Sequence, residues 1–330
     1  MSARIVSAPA RVAAFGAFAP ARILTNADFE AMLDTNDEWI VQRTGIKTRH
    51  VVSEGEHASH LAIGAVEDLI AHYPGADIAS VDYVIVSSTT SDYVYPSVAA
   101  MLQTHYGMTL RTGAVDITAT CAGFCYAINL ACGLVASGQA ERVLAIAAEA
   151  LTRSADYTDR STCVLFGDGA GAALIERSDT PGISGMSSGA DGSAGKFLYR
   201  TNLRFDIDGV VDESKLLRQN GRNVFRWVIE NIPGEVHRIL NRAGMTLDDI
   251  DWFVPHSANL RMIEALTKNL GIPMEKTLLS IVEFGNTSSA SIPLALVPAI
   301  RDGRVKRGDK ILTIGFGGGL VSAGCVITLD

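Results

Sequence analysis

The chain is poor in what several protein classes require. Its 330 residues include five cysteines (Cys121, Cys125, Cys132, Cys163 and Cys325), an odd number without a framework spacing. Cys121 and Cys125 are separated by three residues, and no second pair or histidine cluster follows, so no zinc site or other metal is expected. Free thiols in a reducing compartment are expected instead. Lysine and arginine (28) are outnumbered by aspartate and glutamate (36), and the net charge of −8 argues against a general nucleic-acid binder. An acidic partner would need a local basic patch. No apolar run reaches the roughly 18 residues that a membrane span needs. The opening Met-Ser-Ala-Arg-Ile-Val-Ser-Ala-Pro lacks a charged head followed by a long apolar core. No signal peptide and no membrane partner are therefore expected, and the protein is expected in the cytoplasm.

The composition, 48% hydrophobic and 19% charged, fits a compact protein with a large interior. The length points to two domains or one duplicated unit. Short β-rich runs alternate with longer Ala/Leu-rich stretches of helical period: 83–88, 98–106, 114–117, 123–137 and 142–147. This is the pattern of an α/β protein with buried strands and covering helices. Two segments recur in order. Residues 78–88 parallel 247–257, and 142–146 parallel 310–314, roughly 169 residues apart, which suggests a duplicated α/β unit. Residues 178–220, rich in Gly, Ser and Asp and then charged, read as a strand and a long functional loop joining the halves.

Three residues can carry chemistry. Cys121 follows the β-rich run 114–117 and precedes a helix-compatible stretch. At a helix N-terminus, free N–H groups and the dipole favour thiolate and can hold an oxyanion; the alternative is a buried structural cysteine. His256 ends the run 252–255, and Asn286 sits in the turn Gly285-Asn286-Thr287-Ser288. Singly these read as a capping histidine and a turn asparagine. All three are expected at carboxyl ends of strands, where α/β ligand sites gather. Together they supply a nucleophile and two oxyanion donors. Gly315-Phe316-Gly317-Gly318-Gly319 lets the backbone turn sharply and approach a substrate. Gly167-Asp168-Gly169-Ala170-Gly171 imitates a dinucleotide loop, but the following Ala172–Glu176 reads as strand, so no NAD is expected.

These motifs, with Leu24-Thr25-Asn26, Asp34–Ile40, Arg43-Thr44-Gly45-Ile46 and Asp159–Thr162, resemble β-ketoacyl-ACP synthase III of the thiolase superfamily from about residue 10 to the C-terminus. The resemblance implies a duplicated α-β-α-β-α fold with two mixed five-stranded sheets. Its halves would be 1–180, carrying the cysteine, and 181–330, carrying the histidine and asparagine. It implies decarboxylative condensation of an acyl-CoA with malonyl-ACP, without a cofactor, by a homodimer. Cys121 would take the acyl group, with the N–H groups of Cys121 and Gly318 as oxyanion hole. His256 and Asn286 would bind the malonyl thioester oxygen. Trp39 and Arg160 would sandwich the adenine of CoA, with Arg43 and Asn259 nearby. Arg226, Arg261 and Lys268 would dock the acyl carrier protein, Arg226 sharing a helical face with Arg222. Tyr95 would close the acyl pocket across the dimer and suggests short starters.

Some positions depart from the family. Leu320-Val321-Ser322 follows the glycines where Thr-Trp is common, and Cys125 adds a thiol one turn from Cys121. Ser257 stands where housekeeping members often have Gln, which resembles a second bacterial paralogue group. The competing reading is a non-decarboxylating acyltransferase on the same scaffold. A thiol hydrolase would want an imidazole activating Cys121, and a thiolase a second cysteine near 317–319, for which Cys325 is misplaced.

Overall fold

The computed structural model describes residues 7–330. Two five-stranded sheets form its framework. The first runs, in spatial order, Ala10–Phe18, Asp168–Arg177, Arg142–Ala150, Tyr83–Ser87 and Gly113–Ile117. The second runs Ser7–Ala8, Ile183–Ala190, Val321–Thr328, Lys310–Gly317 and Trp252–Pro255. Both are mixed: Tyr83–Ser87 is parallel to both its neighbours, and Trp252–Pro255 is parallel to Lys310–Gly317, while the remaining pairs are antiparallel.

The layers follow from which faces are apolar. Tyr83–Ser87 and Arg142–Ala150 are buried after their first residue, as strands covered on both faces must be. Helix Ala58–His72 packs on the outer face of the first sheet, and Gly221–Ala243 on that of the second. Gly123–Ala136 and Ser291–Arg301 lie between the sheets and touch both. The helix Gly123–Ala136 is buried between the sheets through small residues, Ala127, Ala131 and Cys132, and through the larger Phe124 and Ile128. Its first residue must be glycine, since a Cβ on Gly123 would lie 1.7 Å from Ser87 Oγ. The result is the layered α-β-α-β-α arrangement.

The internal repeat has a physical counterpart. Asp82 Oδ2 accepts the N–H groups of Glu141 and Arg142 at 2.8 and 3.0 Å, and the Asp82 N–H donates to Arg142 O. In the other sheet Asp251 Oδ2 accepts the Lys310 N–H at 2.8 Å, and the Asp251 N–H donates to Lys310 O. Each aspartate pins the start of the neighbouring parallel strand. A parallel bridge from Phe253 to Thr277 stands where the first sheet has its edge strand Gly113–Ile117.

Residues 168–177 form a strand and no phosphate-binding helix, as expected. The segment after Ile183–Ala190 is not one loop. It holds a 3₁₀ turn, Gly192–Phe197, and two short ladders, Leu198–Tyr199 with Arg218–Gln219 and Asp206–Ile207 with Val210–Val211.

Candidate active site

Cys121 follows the strand Gly113–Ile117 on a 3₁₀ turn, Thr120–Ala122, that leads directly into helix Gly123–Ala136. The turn is sharp: Thr120 has φ +43°, a left-handed conformation costly for a β-branched residue. Its hydroxyl donates to Gly318 O at 2.8 Å, tying the cysteine turn to the glycine loop. A Cβ on Gly317 would stand 2.8 Å from Cys121 Sγ, so the strand end touches the thiol only because it is glycine.

His256 is the first residue beyond the strand Trp252–Pro255 and is 1% exposed. Its Nδ1 lies 2.7 Å from Ser291 Oγ, and Phe316 meets its ring edge-on at 5.4 Å. Asn286 is not at a strand end, contrary to expectation. It occupies a turn after the short helix Ile281–Phe284 and is held by a bridge to Phe166. Its N–H donates to Leu165 O at 2.8 Å, and its carbonyl accepts from Gly167 N at 3.1 Å. Asn286 Oδ1 accepts the Ser288 N–H at 2.9 Å, which turns the Nδ2 donor end the other way.

Two cavities meet here. One, of about 340 Å³, is lined by Trp39, Arg43, Asn259, Phe225, His256 and Phe316. The other, of about 750 Å³, is lined by Leu151, Phe166, Leu217, Tyr93, Val94 and Gly318. Cys121, Leu198, Gln219 and Asn286 line both. The thiol therefore sits where a long ligand in the first cavity meets a group held in the second.

The thiol's acidity differs from the helix-end expectation. Burial pushes Cys121 up to about 12; the Ser288 hydroxyl opposes this and the Glu149 carboxylate adds to it. Desolvation outweighs the Ser288 hydroxyl and favours the thiol form. Burial likewise pushes His256 down to about 3, with the Ser288 carbonyl working against it, so its imidazole is neutral at neutral pH.

Other expected residues are variously engaged. The Arg160 guanidinium lies 5.6 Å and that of Arg43 5.0 Å from the Trp39 ring centroid. Arg160 also pairs with the Asp34 carboxylate at 3.1 Å, so a base stacked between Trp39 and Arg160 requires the guanidinium to swing away. Asn259 caps helix Leu260–Leu270, and its Nδ2 donates to Arg43 O at 3.2 Å. Arg261 is paired with Glu264 and donates to Gln42 O at 2.8 Å, which leaves it a poor free cation. Arg222, Arg226 and Lys268 are exposed and appear in no ion pair among the described residues. Tyr95 is 84% exposed and lines neither cavity of its own chain. Cys125 faces the interior toward Thr313 Oγ1 at 3.8 Å and is core. Leu320 is buried and exchanges both backbone hydrogen bonds with Asp191.

Sequence reasoning missed Ser291, Ser288, Glu149 and Phe316. It also missed Arg49, a fully buried arginine that donates to Val164 O and Asn26 Oδ1 and braces the wall beside Asn286. Only the Ser-rich run 287–291 offered a signal.

Comparison with known proteins places the chain in a family. Residues 115–192 match the family model described as 3-oxoacyl-[acyl-carrier-protein (ACP)] synthase III, and residues 240–329 match the one for its C terminal. The β-ketoacyl-[acyl-carrier-protein] synthase III 2 of Bacillus subtilis is 50% identical over 321 residues, 96% of this chain and 98% of that protein. The crystal structure of the synthase III from Thermus thermophilus superposes with a TM-score of 0.93 at 44% identity, covering 97% and 99% of the two chains. The priming β-ketosynthase of the R1128 polyketide pathway does so with a TM-score of 0.91 at 36% identity, covering 99% and 98%.

Proposed function

Since the chain belongs to the β-ketoacyl-[acyl-carrier-protein] synthase III family, we propose that it joins a short acyl-CoA starter to malonyl-ACP, giving β-ketoacyl-ACP, CoA and CO2 through an acyl-Cys121 intermediate. This is the initiating condensation of fatty-acid synthesis. The observation that carries the residue assignment is that Cys121 and Asn286 line both cavities while His256 lines the first beside them.

CoA enters through the cavity of Trp39, Arg43 and Asn259 and places its thioester at Cys121, with the acyl chain in the second cavity. Attack by sulfur puts negative charge on the thioester oxygen, which the N–H groups of Cys121 and Gly318 receive. CoA leaves, and malonyl-ACP takes its place. Asn286 Nδ2 and the His256 Nε2–H donate to the malonyl thioester oxygen, so the enolate formed as CO2 departs is stabilised without a strong base. A neutral histidine suits this task, because it donates and does not draw a proton off. The enolate carbon attacks the acyl-Cys121 carbonyl, and the tetrahedral intermediate expels the Cys121 thiolate. No resident cofactor is required in these steps.

The exposed cations Arg222, Arg226 and Lys268, without an ion-pair partner among the described residues, would supply a patch for the acidic carrier protein on a chain of net negative charge. The edge strand Gly113–Ile117, with Val115, Val94, Tyr95 and Leu110 exposed around it, supports a homodimer in which Tyr95 closes the partner's acyl cavity. The two sheets support division into halves 1–180 and 181–330, the second borrowing Ser7–Ala8. Five free thiols support a cytoplasmic location, and no described helix is long and apolar enough to cross a membrane.

The likeness to the R1128 priming synthase supports a related starter condensation in polyketide assembly as a second setting for the same chemistry. The experiment is intact-mass analysis of the enzyme with a panel of acyl-CoAs, with and without malonyl-ACP. The reading requires one acyl mass on Cys121, discharged as β-ketoacyl-ACP when malonyl-ACP is added. Loading that is discharged without CO2 would favour simple acyl transfer.

A further inference from the structure

Glu149 is a charged residue in an apolar strand. It lies in Arg142–Ala150 and is fully buried. No arginine, lysine or histidine pairs with it among the described residues; five hydrogen-bond donors meet it instead. Its Oε2 accepts Thr89 N at 3.1 Å, Thr89 Oγ1 at 2.8 Å and Thr90 Oγ1 at 3.1 Å. Its Oε1 accepts the hydroxyls of Ser288 and Ser289, both at 3.2 Å. A carboxyl so placed is costly to keep and serves no ion pair.

Ser288 connects it to the nucleophile. The turn Ser288–Ala290 packs on the Thr120–Ala122 turn, both Ser288 and Cys121 line the larger cavity, and the Ser288 hydroxyl acts to lower the thiol's pKa. Ser288 also has φ +52°, a left-handed conformation that a serine adopts only when its surroundings impose it. That conformation lets one residue hold Asn286 Oδ1 through its N–H and reach Glu149 through its hydroxyl.

We propose that Glu149, acting through Ser288, is the proton acceptor that ionises Cys121 for acyl transfer. In the resting enzyme the thiol S–H faces Ser288 Oγ, whose own proton is donated to Glu149. As sulfur attacks the acyl-CoA carbonyl, the S–H bond breaks and its proton passes to Ser288 Oγ. The Ser288 proton moves in the same step to Glu149, which becomes neutral. When the C–S bond to CoA breaks, the proton returns along this chain to the departing CoA sulfur, giving CoASH and restoring the carboxylate. Proton and charge are conserved, and no further reactant is needed. Burial raises the Glu149 carboxyl above the usual range, which suits a group that must accept a proton. The titratable group facing Glu149 is Cys121 on the Thr120–Ala122 turn; Thr89, Thr90, Ser288 and Ser289 are its other side-chain partners. His256 is tied to Ser291 and is kept for the malonyl oxygen.

This rests on the reading that Cys121 is the acylated residue, so the test uses two reagents. Single-turnover acylation by acetyl-CoA and alkylation by iodoacetamide, each followed by mass at Cys121, are measured from about pH 6 to 9. A thiol and carboxyl that share one proton ionise internally, so the wild-type rates stay flat across this range. Glu149→Gln and Ser288→Ala lose the acceptor; their rates fall about 100-fold near pH 7 and rise about tenfold per pH unit. Ser289→Ala removes a hydroxyl from the same oxygen without touching the thiol and keeps the flat profile. If Glu149→Gln does not fold, as judged by thermal melting, Ser288→Ala carries the comparison. Flat profiles in both acceptor variants, or the same steep rise in wild type, would overturn the proposal. Alkylation that obeys the prediction while no acyl-CoA loads would instead fault the functional reading and leave the relay standing.

Discussion

The Nδ1 atom of His256 lies 2.7 Å from Ser291 Oγ, and that same oxygen accepts the Ser257 backbone N–H at 3.2 Å. Accepting from Ser257, the hydroxyl can still donate its own proton to Nδ1, the tautomer that holding the malonyl oxygen requires. The imidazole then carries its own proton on Nε2, facing the cavity, where the malonyl thioester oxygen has to be held. Ser291 is a positioning residue, and Ser257 orients it.

Removing Ser291 therefore tests the tautomer. Ser291→Ala frees the ring to adopt the other form, and condensation with malonyl-ACP should fall about tenfold, the effect of losing one hydrogen bond of roughly 1–1.5 kcal/mol. Acyl loading of Cys121 should change little. Separate single-turnover assays of loading and of CO2 release check this split.

A buried neutral histidine also has a signature in stability. In the unfolded chain it titrates at about 6.5, but in the fold it does not gain a proton until about pH 3. The unfolded state thus binds more protons as pH falls from about 6.5 toward 3, and stability drops by up to about 1.4 kcal/mol per pH unit from this group. Urea midpoints should decline over this window more steeply for wild type than for His256→Gln. Parallel declines would show that the imidazole is not held neutral.

Trp39 should matter to CoA alone. Loss of base stacking is worth about 1–3 kcal/mol, so Trp39→Ala should raise KM for acyl-CoA between about 5- and 150-fold while kcat stays near wild type. Arg160→Ala should act in the same direction but less, because its guanidinium must first leave Asp34. Initial rates against acyl-CoA at saturating malonyl-ACP measure both.

Arg226 should matter to the carrier protein alone. Arg226→Glu reverses one charge of the exposed patch and should raise KM for malonyl-ACP several-fold at low ionic strength. The difference should shrink in 0.5 M salt, where the screening length falls to a few ångströms. Loading from acyl-CoA should be indifferent to the change.

Much of the site was legible because its residues sit at chain punctuation. Cys121 and His256 close β-rich runs, and the glycines at 315–319 mark a turn, so local pattern located them. The repeat was legible because Asp82 and Asp251 pin equivalent strands, which requires the same residue at the same register. What lay hidden depends on distance in sequence. Ser288 and Glu149 are 139 residues apart, and Glu149 sits in a run that otherwise reads as buried strand. Helix position at Cys121 is local and legible, while the desolvation that pushes its pKa up is set by the whole fold. Arg261 had the right spacing for a docking face, and its i,i+3 pairing with Glu264 was legible too, but its hydrogen bond to Gln42 O, 219 residues away, shows only in three dimensions.

The division of labour between Cys121 and the His256–Asn286 pair is tested most directly by 14C release from [carboxyl-14C]malonyl-ACP on enzyme already acylated at Cys121. His256→Ala and Asn286→Ala should acquire the acyl mass as wild type does, yet release CO2 about 100- to 1,000-fold more slowly, the usual cost of losing one oxyanion donor. If either variant loads and decarboxylates at the wild-type rate, that residue does not hold the malonyl oxygen, and the assignment fails.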